Sequence, residues 1–182
     1  MNEHDQVLRV FIAYLEDQPG VLNRITSLFR RRTYNIVSLN VGRTHEPGIS
    51  RMTVAVEATA EESDRIAANL YKLVNVLSVE DITDSPAVTR VLALIKVQVG
   101  AERRAELIQL CETFRGRAVD ITPESMIIEL SGEQPKIDGM LRMLDAFEVL
   151  EMVQTGTISM TRGGRGHAAQ AVRAQPALRQ VG

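Results

Sequence analysis

Asp17 stands three residues ahead of Gly20 in the run Leu15-Glu16-Asp17-Gln18-Pro19-Gly20-Val21-Leu22. An apolar segment, Val10 to Leu15, gives way there to an acidic turn and then to apolar residues at helical spacing. Proline suits a first helical position, having no N–H to waste and a φ already helical. Glycine beside it leaves a helix N-terminus bare, so that a ligand can approach the backbone N–H groups of Gly20, Val21 and Leu22. Those groups and the helix dipole favour an anion, and Asp17 just before them suits a cation. A free amino acid carries both charges two bonds apart, and such a loop suits holding one rather than transforming it. The same residues also spell an ordinary turn and helix start with Asp17 as its cap, and spacing alone does not separate the two.

Other chemistries find little support. His4, His45 and His167 are far apart in sequence, and Cys111 is the single cysteine, so neither a metal cluster nor an intrachain disulfide is expected. Cys111 falls within a predicted amphipathic helix and reads as core filler. No Ser-His-acid series stands out, nor any glycine motif for nucleotides. Arg30-Arg31-Arg32 point different ways on a helix and read as a solvated or partner-facing end. Arg51 reads equally as a partner contact or as half of an ion pair with an acid.

The elements that would position the loop form a repeated order. Leu8–Leu15 is a predicted strand, followed by a helix carrying Val21, Leu22, Ile25, Leu28 and Phe29. Ile36–Thr44 and Ile49–Ala58 form a hairpin about His45-Glu46-Pro47-Gly48. Ile66, Leu70, Leu73 and Val74 line a second helix, and Val76–Thr83 closes the half near Asp84-Ser85-Pro86. The second half repeats this with strand Arg90–Val99, helix Glu102–Phe114, strands Ala118–Thr122 and Ser125–Leu130, helix Lys136–Phe147 and strand Val149–Thr161. The expected fold is therefore α+β: two tandem βαββαβ units over 1–84 and 85–161, each an antiparallel sheet with helices on one face. Residues 162–182 lack any period and read as a disordered basic tail. In the second half Val99-Gly100-Ala101-Glu102 replaces the Pro-Gly loop, and no ligand is expected there.

Composition narrows the partners. Hydrophobic residues make up 45% of the 182 and charged ones 24%, ordinary for a globular chain. Aromatics are only 4% with no Trp, so the core should be aliphatic and methionine-rich, and a stacking platform for single-stranded nucleic acid is not expected. Four of the 21 basic residues and none of the 23 acidic ones fall in 162–182, leaving 17 against 23, or −6, for the body. An acidic body gives little encouragement to nucleic-acid binding. The first six residues are polar and the apolar runs are far below the ~20 residues that span a bilayer, so a soluble, unanchored protein is expected, and the single cysteine is compatible with the cytoplasmic setting expected for it.

The loop resembles the ligand loop of ACT domains, small βαββαβ modules that bind amino acids. Beyond it, Leu28-Phe29-Arg30-Arg31-Arg32, Tyr34-Asn35-Ile36, Ser38-Leu39, Val41-Gly42 and Ser50-Arg51-Met52-Thr53 resemble the small, regulatory subunit of acetolactate synthase (acetohydroxyacid synthase). So do Leu94-Ile95-Lys96-Val97, Phe114-Arg115, Val119-Asp120-Ile121-Thr122-Pro123 and Gly156, and the resemblance runs to near Thr161-Arg162-Gly163. It implies a non-catalytic chain that activates the catalytic subunit and confers feedback inhibition by valine in branched-chain amino acid synthesis. Asp17 would face the ligand ammonium, the N–H groups of Gly20, Val21 and Leu22 its carboxylate, Asn35 would add a hydrogen bond, and Ile36 with Val21 an aliphatic wall. An aliphatic wall separates valine from leucine or isoleucine by only about 1–3 kcal/mol per methylene. Thiamine diphosphate, Mg and FAD would belong to the catalytic subunit, and a homodimer is implied. Two residues depart from the family pattern: Thr33, where glycine is frequent, and Asp17, where several members carry asparagine. The rival reading is a stand-alone ACT-type amino-acid sensor acting on another enzyme or on transcription.

Overall fold

The computed structural model describes residues 6–163; the proposed tail, beyond Gly163, lies outside them. The chain divides into two compact units, one running to Val88 and taking back the segment from Ser159, the other Thr89–Ile158.

In the first unit β1 (Val7–Glu16) leads into α1 (Val21–Arg31), then β2 (Ile36–Arg43), β3 (Ile49–Ala58), α2 (Ala60–Tyr71) and β4 (Val76–Asp81). The strands form one antiparallel sheet in the order β2-β3-β1-β4. Alternation along β1 and β3 sends Phe11, Ala13, Leu15, Met52, Val54 and Val56 to one face. There they bury against Val21, Ile25, Leu28 and Phe29 of α1 and Ile66 and Leu70 of α2. Helix α2 starts with a capping box, Thr59 accepting from the Glu62 N–H while the Glu62 side chain accepts from Thr59 N–H. It ends at Tyr71, and Val74, expected on its apolar face, is 85% exposed in the turn that follows.

The second unit repeats the scheme with β5 (Ala87–Gln98), α3 (Arg104–Thr113), β6 (Arg117–Ile121), β7 (Ser125–Gly132), α4 (Gln134–Met143) with a 3-10 turn Leu144–Ala146, and β8 (Glu148–Gln154). Its strand order, β6-β7-β5-β8, corresponds position by position to the first. Met126 and Met140 join an otherwise aliphatic core, as the composition implied, and Cys111 packs within it. Burial raises the Cys111 thiol pKa, with the charge of Glu112 adding to the rise.

The single closing strand expected over Val149–Thr161 is in fact two. β8 stops at Gln154, and after Thr155-Gly156-Thr157 a short β9 (Ile158–Thr161) pairs separately with β5. Glycine in mid-strand has no side chain to pack and weakens the ladder there. Arg51 engages no acid among the described residues: its guanidinium donates to Thr53 Oγ1 (3.1 Å) and to the Ser159 carbonyl, and stands 6.0 Å from the Tyr14 ring centroid.

Both units end their first helix alike. After α1, Tyr34 N–H donates to Phe29 O and Thr33 N–H to Arg30 O, both at 3.2 Å. After α3, Gly116 N–H donates to Cys111 O and Arg115 N–H to Glu112 O, both at 2.8 Å. These are paired Schellman closures, and each needs a left-handed residue in the middle. Thr33 (φ 57) and Arg115 (φ 51) fill that place without glycine.

Candidate functional site

Glu16, at the end of β1, pairs with Ile49 at the start of β3, so the loop that follows lies beside the β2–β3 hairpin turn. Asp17 N–H donates to Gly48 O at 2.8 Å, joining loop and turn. Asn75 braces the loop from behind. Its side-chain amide donates to Glu16 Oε2 (2.8 Å), its Oδ1 accepts from Arg24 of α1 (2.7 Å), and its carbonyl accepts the Glu16 N–H (2.9 Å).

Pro19 is not the first helical residue. Gly20 has φ 84 and ψ −7, a left-handed conformation that ends any helix running back through it, and α1 begins at Val21. Residues 18–21 form a type II turn, closed by Val21 N–H to Gln18 O at 3.4 Å, with proline and glycine in the two positions that turn selects. The N–H groups of Gly20 and Leu22 have no hydrogen-bond partner among the described residues, while that of Val21 is partly committed to the turn. No side chain caps the helix, and a Cβ built on Gly20 meets no atom within 4 Å. The ordinary capping role open to Asp17 is therefore not what it does here.

Asp17 instead faces Arg43, at the end of β2, with Oδ2 3.2 Å from Nε. Together with Thr44, Glu46, Pro47, Gly48 and Ile49 these two line a small cavity of about 210 Å³ between loop and hairpin turn. Thr44 shapes the turn, its hydroxyl bonding to the carbonyls of Glu46 and Ile49 and accepting from the Glu46 N–H. Arg43 and Asn75 were not singled out from sequence, and the hairpin turn expected at His45-Glu46-Pro47-Gly48 was not linked to the loop, because their nearness to it is a product of strand register. The signal available was the hairpin itself, whose turn must lie beside the end of β1 once β3 pairs with β1.

The other two expected site residues lie elsewhere in the chain. Ile36 pairs with Val56, and Val56 with Arg9. The seven residue-to-residue steps along β1 from Arg9 to Glu16, at about 3.4 Å each, put the start of β2 roughly 24 Å from the loop. Asn35 is exposed there, and Ile36 packs half-buried against the core. Val21 points into the same core, while Leu22 is exposed. One chain thus brings together Asp17, Gly20, Val21 and Leu22, and leaves Asn35 and Ile36 at the opposite end of the sheet.

The corresponding turn of the second unit is built differently. Arg103 precedes α3 and forms an ion pair with Glu106 in the first turn (Nε–Oε2 3.0 Å), lies 4.1 Å from the Phe147 ring centroid, and donates to the Ala146 carbonyl. Hydrogen bonding with Glu106 raises the Arg103 pKa, and the same contact lowers that of Glu106.

Tandem βαββαβ units with an open loop ahead of the first helix define the class, a protein built on ACT-type modules. Residues 12–78 match the family model described as AHAS small subunit-like ACT domain, and residues 90–163 that of the small subunit of acetolactate synthase. The acetolactate synthase small subunit of Mycobacterium bovis is 42% identical over 152 residues, 84% of this chain and 90% of that one. A probable acetolactate synthase small subunit of Methanothermobacter thermautotrophicus is 37% identical over 166 residues, 91% of this chain and 99% of that one. The crystal structure of the acetolactate synthase small subunit from Thermotoga maritima superposes with a TM-score of 0.81 at 33% identity, covering 87% of this chain and 99% of that one. The chain belongs to the acetolactate synthase small subunit family.

Among the described residues no three His, Cys, Asp or Glu side chains cluster as metal ligands, and no helix is long and apolar enough to cross a membrane.

Proposed function

We propose that this regulatory subunit raises the activity of the acetolactate synthase catalytic subunit and makes it sensitive to feedback inhibition by valine. The observation that carries the reading is the bare N-terminus of α1. The Gly20 and Leu22 N–H groups can take a carboxylate within reach of the Asp17 carboxylate, which can take an ammonium. Thiamine diphosphate, Mg and FAD belong in this reading to the catalytic subunit, and the complex works in the cytoplasm.

The register adds a condition. Asn35 and Ile36 can meet a ligand at the loop only from a second copy, since within one chain the sheet separates them. A homodimer with two composite sites, each taking its loop from one copy and Asn35 with Ile36 from the other, satisfies both the separation and the family pattern.

The test is reconstitution. Added to the catalytic subunit, the chain should raise acetolactate production from pyruvate, produce none alone, and introduce a valine inhibition curve. Gly20→Asp sets a carboxylate where the ligand's would sit. It can satisfy the bare N–H groups itself and suits the helix dipole, so the fold should survive its strain at positive φ. The variant should still activate while the valine midpoint rises more than a hundredfold, the consequence of losing about 3 kcal/mol of binding. An unchanged midpoint would place the effector site elsewhere.

A further inference from the structure

We infer that Arg43 is a built-in competitor of the effector: its guanidinium holds the Asp17 carboxylate until a ligand ammonium displaces it. The inference rests on the reading of the loop as an amino-acid site and adds a regulatory residue to it.

The geometry supports exchange over a permanent bridge. Asp17 Oδ2 and Arg43 Nε are 3.2 Å apart, yet the Arg43 side chain is 87% exposed and that of Asp17 38%. An ion pair so open to water is weakly held and its long arm swings freely. The Asp17 backbone is tied to the hairpin turn by its N–H bond to Gly48 O, and Arg43 has the longer and more exposed side chain, so Arg43 is the partner that leaves more readily.

Charge in the cavity favours a cation once Arg43 has moved. Arg43 is its sole guanidinium, set against the carboxylates of Asp17 and Glu46. Nearby, His45 Nε2 stands 3.9 Å from Glu46 Oε1, and Glu16 is engaged by Asn75. With the arginine swung outward, two acids face the space the ammonium would enter. Arg43 therefore lowers affinity by occupying the Asp17 carboxylate, and acts on the effector concentration at which the subunit responds.

Calorimetric titration of the full chain with L-valine tests this on wild type, Arg43→Gln, Asp17→Asn and the double variant. Arg43→Gln should bind valine roughly two- to fivefold more tightly, the range set by the strength of an exposed ion pair. Arg43→Lys, which keeps the charge, should fall back toward wild type. In the Asp17→Asn background, removing Arg43 should change nothing, because the group they contend for is gone. Equal or weaker binding by Arg43→Gln, or the same gain with and without Asp17, would overturn the inference while leaving the effector site standing. Absence of valine binding by the wild type would remove the site itself and the inference with it.

Discussion

Thr33 is held at φ 57, a conformation that costs an L-residue roughly 1–2 kcal/mol and a β-branched one most of all. It persists because the Schellman closure of α1 requires a left-handed residue, and because Tyr34 stacks edge-on against Phe29, ring centroids 6.4 Å apart, to seal the turn. Glycine would meet the same geometry without strain, losing only part of the gain to its freer unfolded chain. Thr33→Gly should therefore raise stability by about 0.5–1 kcal/mol, read as a higher urea midpoint with unchanged slope; a lowered midpoint would contradict the argument. Part of this was legible from the family resemblance, in which Thr33 stands where glycine is frequent. The role of Asp17 was legible only in part, since a carboxylate beside Pro-Gly reads as cap or cation ligand until its neighbours are known. Arg43 reaches it from a strand that starts 19 residues further along the chain, and no local signal carries that contact.

Helices and strands followed from apolar spacing almost everywhere, with ends displaced by up to four residues, as where α4 gives way to a 3-10 turn after Met143. The misjudged elements were those where backbone geometry overrides pattern: the left-handed Gly20 delays the start of α1 to Val21, two residues beyond Pro19, and Gly156 lies where the last strand is split. A junction the pattern did not expose joins α2 to β4. Asp81 accepts from the Ser63 hydroxyl of α2 and from the Thr83 hydroxyl and N–H, while Thr83 Oγ1 in turn accepts the Val10 N–H of β1. Burial raises the Asp81 pKa, but the bonds from Ser63 and Thr83 and the charge of Arg9 outweigh it and hold the carboxyl below its ordinary value. A lowered pKa in the folded chain gives stability that is full above the unfolded value, near pH 4, and lost as pH falls through the folded one. Asp81→Asn should thus reduce stability at neutral pH and flatten its decline in acid, with Ser63→Ala doing the same to a lesser degree. Urea midpoints measured between about pH 3 and pH 7 report both, and an unaltered acid slope in Asp81→Asn would exclude this junction as a source of it.

At the scale of the molecule, the two units share strand order and helix closure, yet only the first has the open, left-handed Gly20 loop. That asymmetry was plain in the sequence, whereas the separation of Asn35 from the loop was not, because distance along a sheet depends on register. The composite site proposed above predicts complementation. Gly20→Asp and Asn35→Ala should each abolish the valine response when expressed alone. Co-expressed, they should form mixed dimers in which one site has both its wild-type parts, and partial inhibition by valine should return. No recovery in isolated mixed dimers would show that each site draws on one chain. A ligand that bridges two copies also binds only the assembled pair, so by mass action it must tighten their association as much as association tightens its binding. In the proposed composite site, the roughly 24 Å between loop and Asn35 would thereby make the abundance of the chain a second input: dilution below the dimer's own dissociation constant would desensitise the enzyme with no change in valine.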